Sequence, residues 1–199
     1  MISPPGVEAW HPWSPRELAD RLAGVTAAWC IAGSWALDLW LGRQTRAHED
    51  IELATPRSQF AAIRAAFDAY ELFTAGDGEL VYLPRGQDPP PHRHQTWVFD
   101  PTARAWRTDV FLEPGDDTTW IYRRVEALAL PRTETIGHTD DRVPYLRPEL
   151  VLLFKAKAMR PKDERDFATA LPALDRVARE RLREWLTRFH PTSSWLSQL

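Results

Sequence analysis

Residues 26–54 read TAAWCIAGSWALDLWLGRQTRAHEDIELA, and this stretch decides the fold. Residues 26–32 are short and apolar and are bounded by Gly33, which predicts a buried strand. Residues 34–41 have helical spacing and are followed by Gly42, a typical helix C-cap. Residues 49–54 alternate acidic and aliphatic side chains, which predicts a second strand with one acidic face. The order strand, helix, strand indicates a mixed α/β arrangement.

Two features of this stretch point to phosphate and metal chemistry. Gly33 and Ser34 open the helix, where free backbone N–H groups and the helix dipole attract phosphate; the alternative is a tight turn with an N-cap. Asp50 and Glu52 are two residues apart, so in a strand they project to one face. Two adjacent carboxylates repel unless a cation lies between them, and Mg²⁺ prefers such oxygen ligands. The alternative is a solvated strand face.

A third acid lies in a later strand. Asp109 is the only acid within residues 106–111, a run that strongly favours a β-strand. A charge in such a strand is destabilising unless it has a partner. If this strand lies beside the first acidic strand, three carboxylates converge. Three carboxylates are enough to hold two divalent ions about 3.5–4 Å apart, an arrangement that supports phosphoryl transfer.

This order of motifs resembles the signature of the polymerase-beta-type nucleotidyltransferases. More narrowly, it is similar to the aminoglycoside 2''-adenylyltransferases and the lincosamide nucleotidyltransferases. The resemblance is strong over residues 31–54 and continues through Asp109 and over residues 147–166. The chain departs from the pattern in its second acid, which is usually Asp and is here Glu52.

The resemblance implies a fold and a reaction. The expected fold is α+β, with a mixed sheet flanked by helices and a helical C-terminal portion. The expected reaction is a metal-dependent transfer of a nucleoside monophosphate, with AMP from ATP favoured, to a hydroxyl of a small polyhydroxylated acceptor, for which an aminoglycoside-like antibiotic is one candidate. The cofactor would be Mg²⁺, with two ions.

The same resemblance assigns roles to residues. Asp50, Glu52 and Asp109 would be the catalytic metal ligands, and Asp109 would also take the proton of the acceptor hydroxyl. The predicted nucleotide-binding residues are Gly33, Ser34, Arg46 and Lys155. A solvated surface position for Lys155 is an equal alternative, and a structural role at a helix start is favoured for Asp163 and Asp166. His48 is a weak candidate for a ligand.

Two other functions remain open at this point. A descendant of the fold that binds nucleotide without transfer is one, and the Glu52 departure supports it. A toxin-like nucleotidyltransferase acting on tRNA or protein is the other. The net charge of −3 and the pI near 6.1 argue against a nucleic acid partner, which calls for clustered positive charge.

Composition limits the organisation of the chain. Its 199 residues are 44% hydrophobic, enough for one sizeable core. The single cysteine, Cys30, is expected to be buried. Residues 1–13 lack the pattern of a signal peptide and no window is long and apolar enough to span a membrane, so a cytoplasmic protein is expected.

The chain divides at Pro148 into an α/β portion, residues 1–147, and a helical portion, residues 148–199. In the first portion, a capping box at Ser14 and Glu17 predicts a helix over residues 14–23, and a second helix is predicted over 58–70. Strands are predicted over 72–74, 79–83, 96–99 and 105–112, weaker ones over 119–122 and at Ile136, and an exposed loop over 84–94. Helices are predicted over 149–159, 162–171 and 174–189.

Three acids outside the predicted metal site, Glu113, Asp116 and Asp117, could neutralise amines of an acceptor. The alternative is that they belong to a solvated turn.

Overall fold

A computed structural model describes residues 4–199 as an eight-stranded mixed sheet with helices packed on it. The strands are β1 (Cys30–Ala32), β2 (Glu52–Pro56), β3 (Glu71–Gly76), β4 (Glu79–Leu83), β5 (Gln95–Asp100), β6 (Ala105–Glu113), β7 (Thr119–Ile121), β8 (Ala129–Pro131), β9 (Ile136–His138) and β10 (Pro144–Leu146). The helices are α1 (Pro15–Arg21), α2 (Gly33–Leu41), α3 (Phe60–Ala66), α4 (Pro148–Lys155), α5 (Pro161–Ala170) and α6 (Arg176–Phe189). The α+β fold class is confirmed.

The sheet has the strand order β4-β3-β5-β6-β2-β1-β10-β9, and β7 pairs separately with β8. Strands β2 and β6 are parallel neighbours at its centre, as the convergence of acids requires, and Glu52 lies directly opposite Asp109. On the other side of β6, Asp109 lies opposite Trp97 of β5. The register therefore places these three side chains in one row on one face of the sheet.

The segment before α1 lies along β6 at the end where β2 has not begun. Trp106 exchanges backbone hydrogen bonds with it, accepting from His11 N at 3.0 Å and donating to Ala9 O at 2.9 Å. The Trp106 indole is fully buried and donates to Gly6 O at 2.9 Å. This segment is therefore attached to the sheet from Gly6 onward, and residues 1–3 lie outside the described residues.

The helical C-terminal portion shares a core with the sheet. Helix α4 packs against α2, α5 and α6. One hydrophobic cluster contains Cys30 of β1, Ala36 of α2, Leu150 and Leu153 of α4, and Leu182 of α6. Cys30 is buried, as expected. The division after residue 147 marks a change from strands to helices, and its meaning as a domain boundary stays a prediction.

Several predicted boundaries are corrected. The acidic strand begins at Glu52 rather than 49, because its partner β1 ends at Ala32 where the chain turns into α2. Asp50 therefore precedes the strand and does not share a strand face with Glu52. The strand also continues through Thr55 and Pro56, beyond its predicted end at residue 54.

Other elements are shorter than predicted or were not predicted at all. Strand β1 covers only Cys30–Ala32, and the helix expected over 58–70 is a 3₁₀ turn at Arg57–Gln59 followed by α3. Strands β8 and β10 were not predicted, although β10 is the parallel neighbour of β1. No helix in the described part of the chain has both the length and the apolar character needed to cross a bilayer.

Candidate active site

The turn from β1 into α2 requires glycine at its first residue. Gly33 has φ +60°, in the left-handed region that residues with a side chain rarely adopt. A Cβ atom at this position would also overlap the Glu52 carboxylate. The close approach brings the carboxylate of β2 against the backbone at the start of α2. Two of the predicted site residues, Gly33 and Glu52, are therefore in contact.

Ser34 is the centre of a charged hydrogen-bond network. Its Oγ accepts from Arg46 Nη2 at 2.6 Å and from Lys155 Nζ at 2.9 Å, and donates to Asp166 Oδ2 at 2.9 Å. Asp166 also forms ion pairs with Arg46 at 2.9 Å and with Lys155 at 2.8 Å. Three of the predicted nucleotide-binding side chains, from three separate parts of the chain, thus meet at one point.

The network is largely buried, which corrects the surface alternative for Lys155. Lys155 is the last residue of α4, is only 9% exposed, and contacts the fully buried Asp163 at 3.2 Å. Burial alone would raise the pKa of Asp166, but the hydrogen bonds from Arg46 and Lys155 outweigh it and lower that pKa. Asp163 accepts from the backbone N of Arg160 at 3.1 Å, so its structural role at the start of α5 is observed.

The carboxylates of Glu52 and Asp109 face each other across the centre of the sheet. Asp109 is 5% exposed, and its Oδ2 accepts from Gln95 Nε2 at 2.6 Å. Its Oδ1 is buried without a hydrogen-bond partner among the described residues. An unpartnered buried carboxylate oxygen is costly, so this atom is available to a cation or a hydrogen-bond donor.

The electrostatics of the pair agree with this geometry. Burial, reinforced by the charge of Asp50, raises the pKa of Glu52 to about 7. Burial, reinforced by the neighbouring Glu52, raises the pKa of Asp109 well above its usual value. Asp50, although outside the strand, is near enough to act on the pKa of both groups. The three acids predicted as metal ligands all line one cleft.

This cleft has a volume of about 880 Å³ and contains the predicted site residues. The cleft is also lined by residues that were not predicted as site residues from the sequence, namely Trp10, Gln95, Trp97, Arg123 and Arg160. Arg123 lies over the rings of Phe111 at 5.1 Å and Phe154 at 5.7 Å. The strand predicted over 96–99 included Trp97 but not Gln95. The short connection between β5 and β6 was the signal that could have paired these strands and placed Trp97 beside Asp109.

Two other candidates, His48 and Glu113, line the cleft but have partners within the fold. His48 hydrogen-bonds through Nε2 to the buried Asp38 and stacks on Trp35, with ring centroids 4.4 Å apart. Glu113 is buried and pairs with Arg132 at 3.2 Å.

Asp116 and Asp117 are the other two acids that were considered for binding amines of an acceptor. Asp116 accepts hydrogen bonds from the backbone N of Thr118 and Thr119 within its own turn. Of the acids considered for neutralising amines, Glu113 and Asp116 are therefore committed to the fold, and Asp117 is exposed.

The residues at the centre of the cleft suit a hard divalent cation. Across residues 4–199 no three His, Cys, Asp or Glu side chains are placed so that they could hold a metal ion together, so the predicted convergence of three carboxylates is not observed and Asp50 does not join Glu52 and Asp109 in one ligand group. The donors that do face each other, Glu52 and Asp109, are carboxylates, and one of their buried oxygens has no partner. Carboxylate oxygens with remaining positions for phosphate and water are the ligands that Mg²⁺ prefers. The donor set therefore fits the metal implied by the fold.

Comparison with known proteins supports the same interpretation. The family model for aminoglycoside-2''-adenylyltransferase matches residues 16–81, which include Gly33, Ser34, Asp50 and Glu52 but not Asp109 or Lys155. The resemblance inferred from the sequence is confirmed. No curated protein sequence matches the chain.

Solved structures extend the likeness over most of the chain. A crystal structure of ANT(2'')-Ia in complex with adenylyl-2''-tobramycin matches with a TM-score of 0.58 at 16% identity, covering 87% of this chain and 95% of the other. The solution structure of the antibiotic-resistance factor ANT(2'')-Ia matches with a TM-score of 0.56 at 13% identity, covering 88% and 90%. Lincomycin-bound LnuA, a lincosamide antibiotic adenylyltransferase, matches with a TM-score of 0.53 at 16% identity, covering 77% and 91%.

These likenesses identify the fold. The chain has the fold of the antibiotic adenylyltransferases. The enzyme class predicted from the sequence, a nucleotidyltransferase, is also the class of the matching family and of these structural neighbours.

Proposed function

We propose that the chain is a metal-dependent nucleotidyltransferase that transfers AMP from ATP to a hydroxyl group of a small polyhydroxylated molecule. One observation carries the proposal: the Glu52–Asp109 pair, with its unpartnered Asp109 oxygen, shares a cleft with the cationic network around Ser34. The first group suits a divalent cation, and the second suits phosphate. The matching family supports both assignments.

The Ser34 end of the cleft would bind the triphosphate. The N-terminus of α2, which begins at Gly33, attracts anions through its free N–H groups and its dipole. Arg46 and Lys155 already converge on Ser34 Oγ, so their positive charges lie where phosphate oxygens would be placed. Asp166 orients both cations in the free protein, and phosphate oxygens would compete with it for the same donors.

The carboxylates of Asp50, Glu52 and Asp109 would hold Mg²⁺, with two ions as the expected number. Bound there, the metal would neutralise charge on the triphosphate and on the leaving pyrophosphate. Burial, together with the charge of the neighbouring carboxylates, disfavours the ionisation of Glu52 and Asp109 in the free protein and raises the pKa of both.

The reaction proper needs a base and an in-line nucleophile. The acceptor oxygen would attack the α-phosphorus of ATP, forming the new O–P bond while the bond to the β-phosphate oxygen breaks and pyrophosphate leaves. The hydroxyl proton would pass to Asp109, whose Oδ1 has no other partner among residues 4–199. Gln95 holds the other oxygen of Asp109 and so fixes the orientation of the base. Positioning and charge stabilisation would supply most of the catalysis.

The acceptor proposed from the family is an antibiotic-like compound. The neighbouring structures are of proteins described with adenylyl-2''-tobramycin and with lincomycin, and the family name specifies aminoglycosides. Expression of the chain in a susceptible bacterium tests this directly, because modification of a drug would raise its minimum inhibitory concentration. Unchanged values across aminoglycosides and lincosamides would remove the antibiotic from the proposal and leave the transfer reaction.

The transfer itself is tested by pyrophosphate release from ATP with Mg²⁺ and a panel of acceptors. Asp109→Asn should lower the turnover number by about 10²–10⁴-fold, the usual contribution of a general base, while the metal-free binding of ATP is retained. Asp116→Asn, a change to an exposed turn outside the cleft, should have no effect. Tight ATP binding without pyrophosphate release with any acceptor would contradict the proposal and favour a binding descendant of the fold.

A further inference from the structure

The chain between α2 and β2, residues 42–51, carries two residues of the proposed site but has no regular structure of its own. Arg46 and Asp50 both lie in this connecting segment and line the cleft. Within the described chain, the backbone of residues 44–50 forms no hydrogen bond with another backbone group. The position of the connecting segment is therefore set mainly by what its side chains contact.

Helix α2 holds the connecting segment through one buried carboxylate, that of Asp38. Its Oδ1 accepts a hydrogen bond from Thr45 Oγ1 at 2.5 Å, and its Oδ2 lies 2.5 Å from His48 Nε2. The side chains of Asp38 and His48 are only 3% and 2% exposed. Trp35, which precedes Asp38 by three residues and so shares its face of α2, stacks on the His48 ring. Asp38 thus fixes the connecting segment at two points, with both of its oxygens engaged.

Asp50 depends on this anchor more than Arg46 does. Arg46 has contacts of its own, with Ser34 at 2.6 Å and with Asp166 at 2.9 Å. The Asp50 carboxylate, within residues 4–199, forms neither a hydrogen bond nor an ion pair, whereas Arg46 and His48 of the same segment form both. The place of Asp50 is therefore set through its backbone, by β2 on one side and by His48, two residues away, on the other.

We propose that His48 and Asp38 are positioning residues that hold Asp50 where the metal–nucleotide complex needs its carboxylate. This inference rests on the proposed function and concerns the same site. In the free protein Asp50 does not form a ligand group with Glu52 and Asp109, so its carboxylate would have to become ordered when a cation binds. An anchored backbone lowers the entropy that this ordering costs. His48 would act through the backbone that it shares with Asp50, without touching the metal.

The first measurement is calorimetric titration of ATP into the full chain at a series of Mg²⁺ concentrations. His48→Ala should raise the Mg²⁺ concentration that gives half of the gain in ATP affinity by about 10–100-fold, the usual effect of removing an outer partner of a metal ligand. Metal-free ATP binding should be retained, because Arg46 keeps its own partners. His48→Gln retains an N–H donor for Asp38 and should recover most of the loss. His92→Ala, which changes an exposed histidine outside the cleft, is the control.

The second measurement needs neither metal nor nucleotide. Trypsin cleaves after arginine, and the connecting segment contains Arg43 and Arg46. Native-state cleavage at these two positions should be about tenfold faster in His48→Ala than in wild type, the effect of losing one buried hydrogen bond. Cleavage after the exposed Arg142 serves as the internal reference and should not change. Thr45→Val, which removes the other contact of Asp38, should move both measurements in the same direction and takes the place of His48→Ala if that variant does not fold.

The two measurements together separate the possible outcomes. Faster cleavage with an unchanged Mg²⁺ dependence would make His48 a residue of the fold alone and would overturn the inference. A changed Mg²⁺ dependence without faster cleavage would mean that His48 acts on the metal directly, which would also overturn it. If wild type itself shows no Mg²⁺-dependent ATP binding, the proposed function fails, and the assignment to Asp50 fails with it.

Discussion

At the Ser34 end of the cleft the charged side chains have partners, whereas at the Glu52–Asp109 end a half-buried and a buried carboxylate face each other across neighbouring strands. Arg46, Lys155 and Asp166 neutralise one another through contacts of 2.8–2.9 Å. Asp109, by contrast, has one oxygen without a partner in the described chain, and burial raises its pKa. The two regions lie side by side, but only one is electrostatically complete in the free protein.

The difference shows how each region is expected to respond to a ligand. The network at Ser34 is already ordered, so phosphate would exchange with Asp166 for cations that are held in place. The carboxylate pair lacks a counter-charge, so a divalent cation would add an interaction without displacing one. A substitution at the first end should therefore destabilise the free protein, and one at the second end should stabilise it.

The largest expected effect comes from Lys155→Met. It removes the ammonium group between Asp163 and Asp166, both buried, so the free energy of unfolding should fall by about 3–5 kcal/mol. Urea denaturation measures the change. Lys157→Met, which removes an exposed lysine two residues further on, serves as the matched control. Equal stability of the two variants would show that the Ser34 network contributes little.

Gly33→Ala tests the contact between the two ends. The new side chain would adopt a left-handed backbone and overlap the Glu52 carboxylate, which together should cost about 2–3 kcal/mol of stability. Gly24→Ala is the control, because Gly24 also has positive φ but has open space around its Cβ position. Comparison of the two by thermal unfolding isolates the cost of the overlap. A difference of zero between them would refute the close approach of Glu52.

Glu52→Gln should stabilise the metal-free protein, and the effect should depend on pH. The pKa of Glu52 is raised from 4.5 to about 7 in the folded state, so folding of the wild type becomes less favourable as pH rises between these values. The variant should therefore be more stable than wild type by about 1–2 kcal/mol at pH 8 and by much less at pH 5. Urea denaturation in EDTA at both values measures this. A wild type that is the more stable protein at pH 8 would contradict the account.

The smallest effect is expected for Ser34→Ala. It removes three hydrogen bonds, but Lys155 and Arg46 keep their ion pairs with Asp166. The loss of stability should be about 1 kcal/mol, against no change for the exposed Ser58→Ala. Chemical denaturation of both variants under the same conditions provides the comparison. A loss as large as that of Lys155→Met would mean that the hydroxyl, rather than the ion pairs, holds the network.

The local signals in the sequence were largely sufficient for the elements around the site. The capping box of Ser14 and Glu17 and the left-handed C-cap at Gly42 are both observed. The proposed adjacency of the two acidic strands is also observed, with Glu52 opposite Asp109. Each of these features depends on a few neighbouring residues or on a single strand pairing. Sequence motifs and hydrophobic periodicity are sufficient to predict such features.

What the sequence missed depends on contacts between different helices and strands. Lys155 is buried because Asp163 and Asp166 of the next helix neutralise it, and its spacing alone left a surface position open. Glu113 was a candidate for binding amines, but Arg132, distant in the chain, pairs with it. Trp97 belongs to the site only because β5 adjoins β6. In each case the missing information was which element packs against which.

The central claim is that the Glu52–Asp109 pair holds a divalent cation together with the nucleotide, and calorimetric titration of ATP tests it most directly. Wild type and Asp109→Asn are titrated with and without Mg²⁺. The account predicts that Mg²⁺ tightens ATP binding to wild type by at least about tenfold and that Asp109→Asn removes this gain while metal-free binding at the Ser34 end persists. ATP binding that is equal with and without Mg²⁺ in the wild type would contradict it.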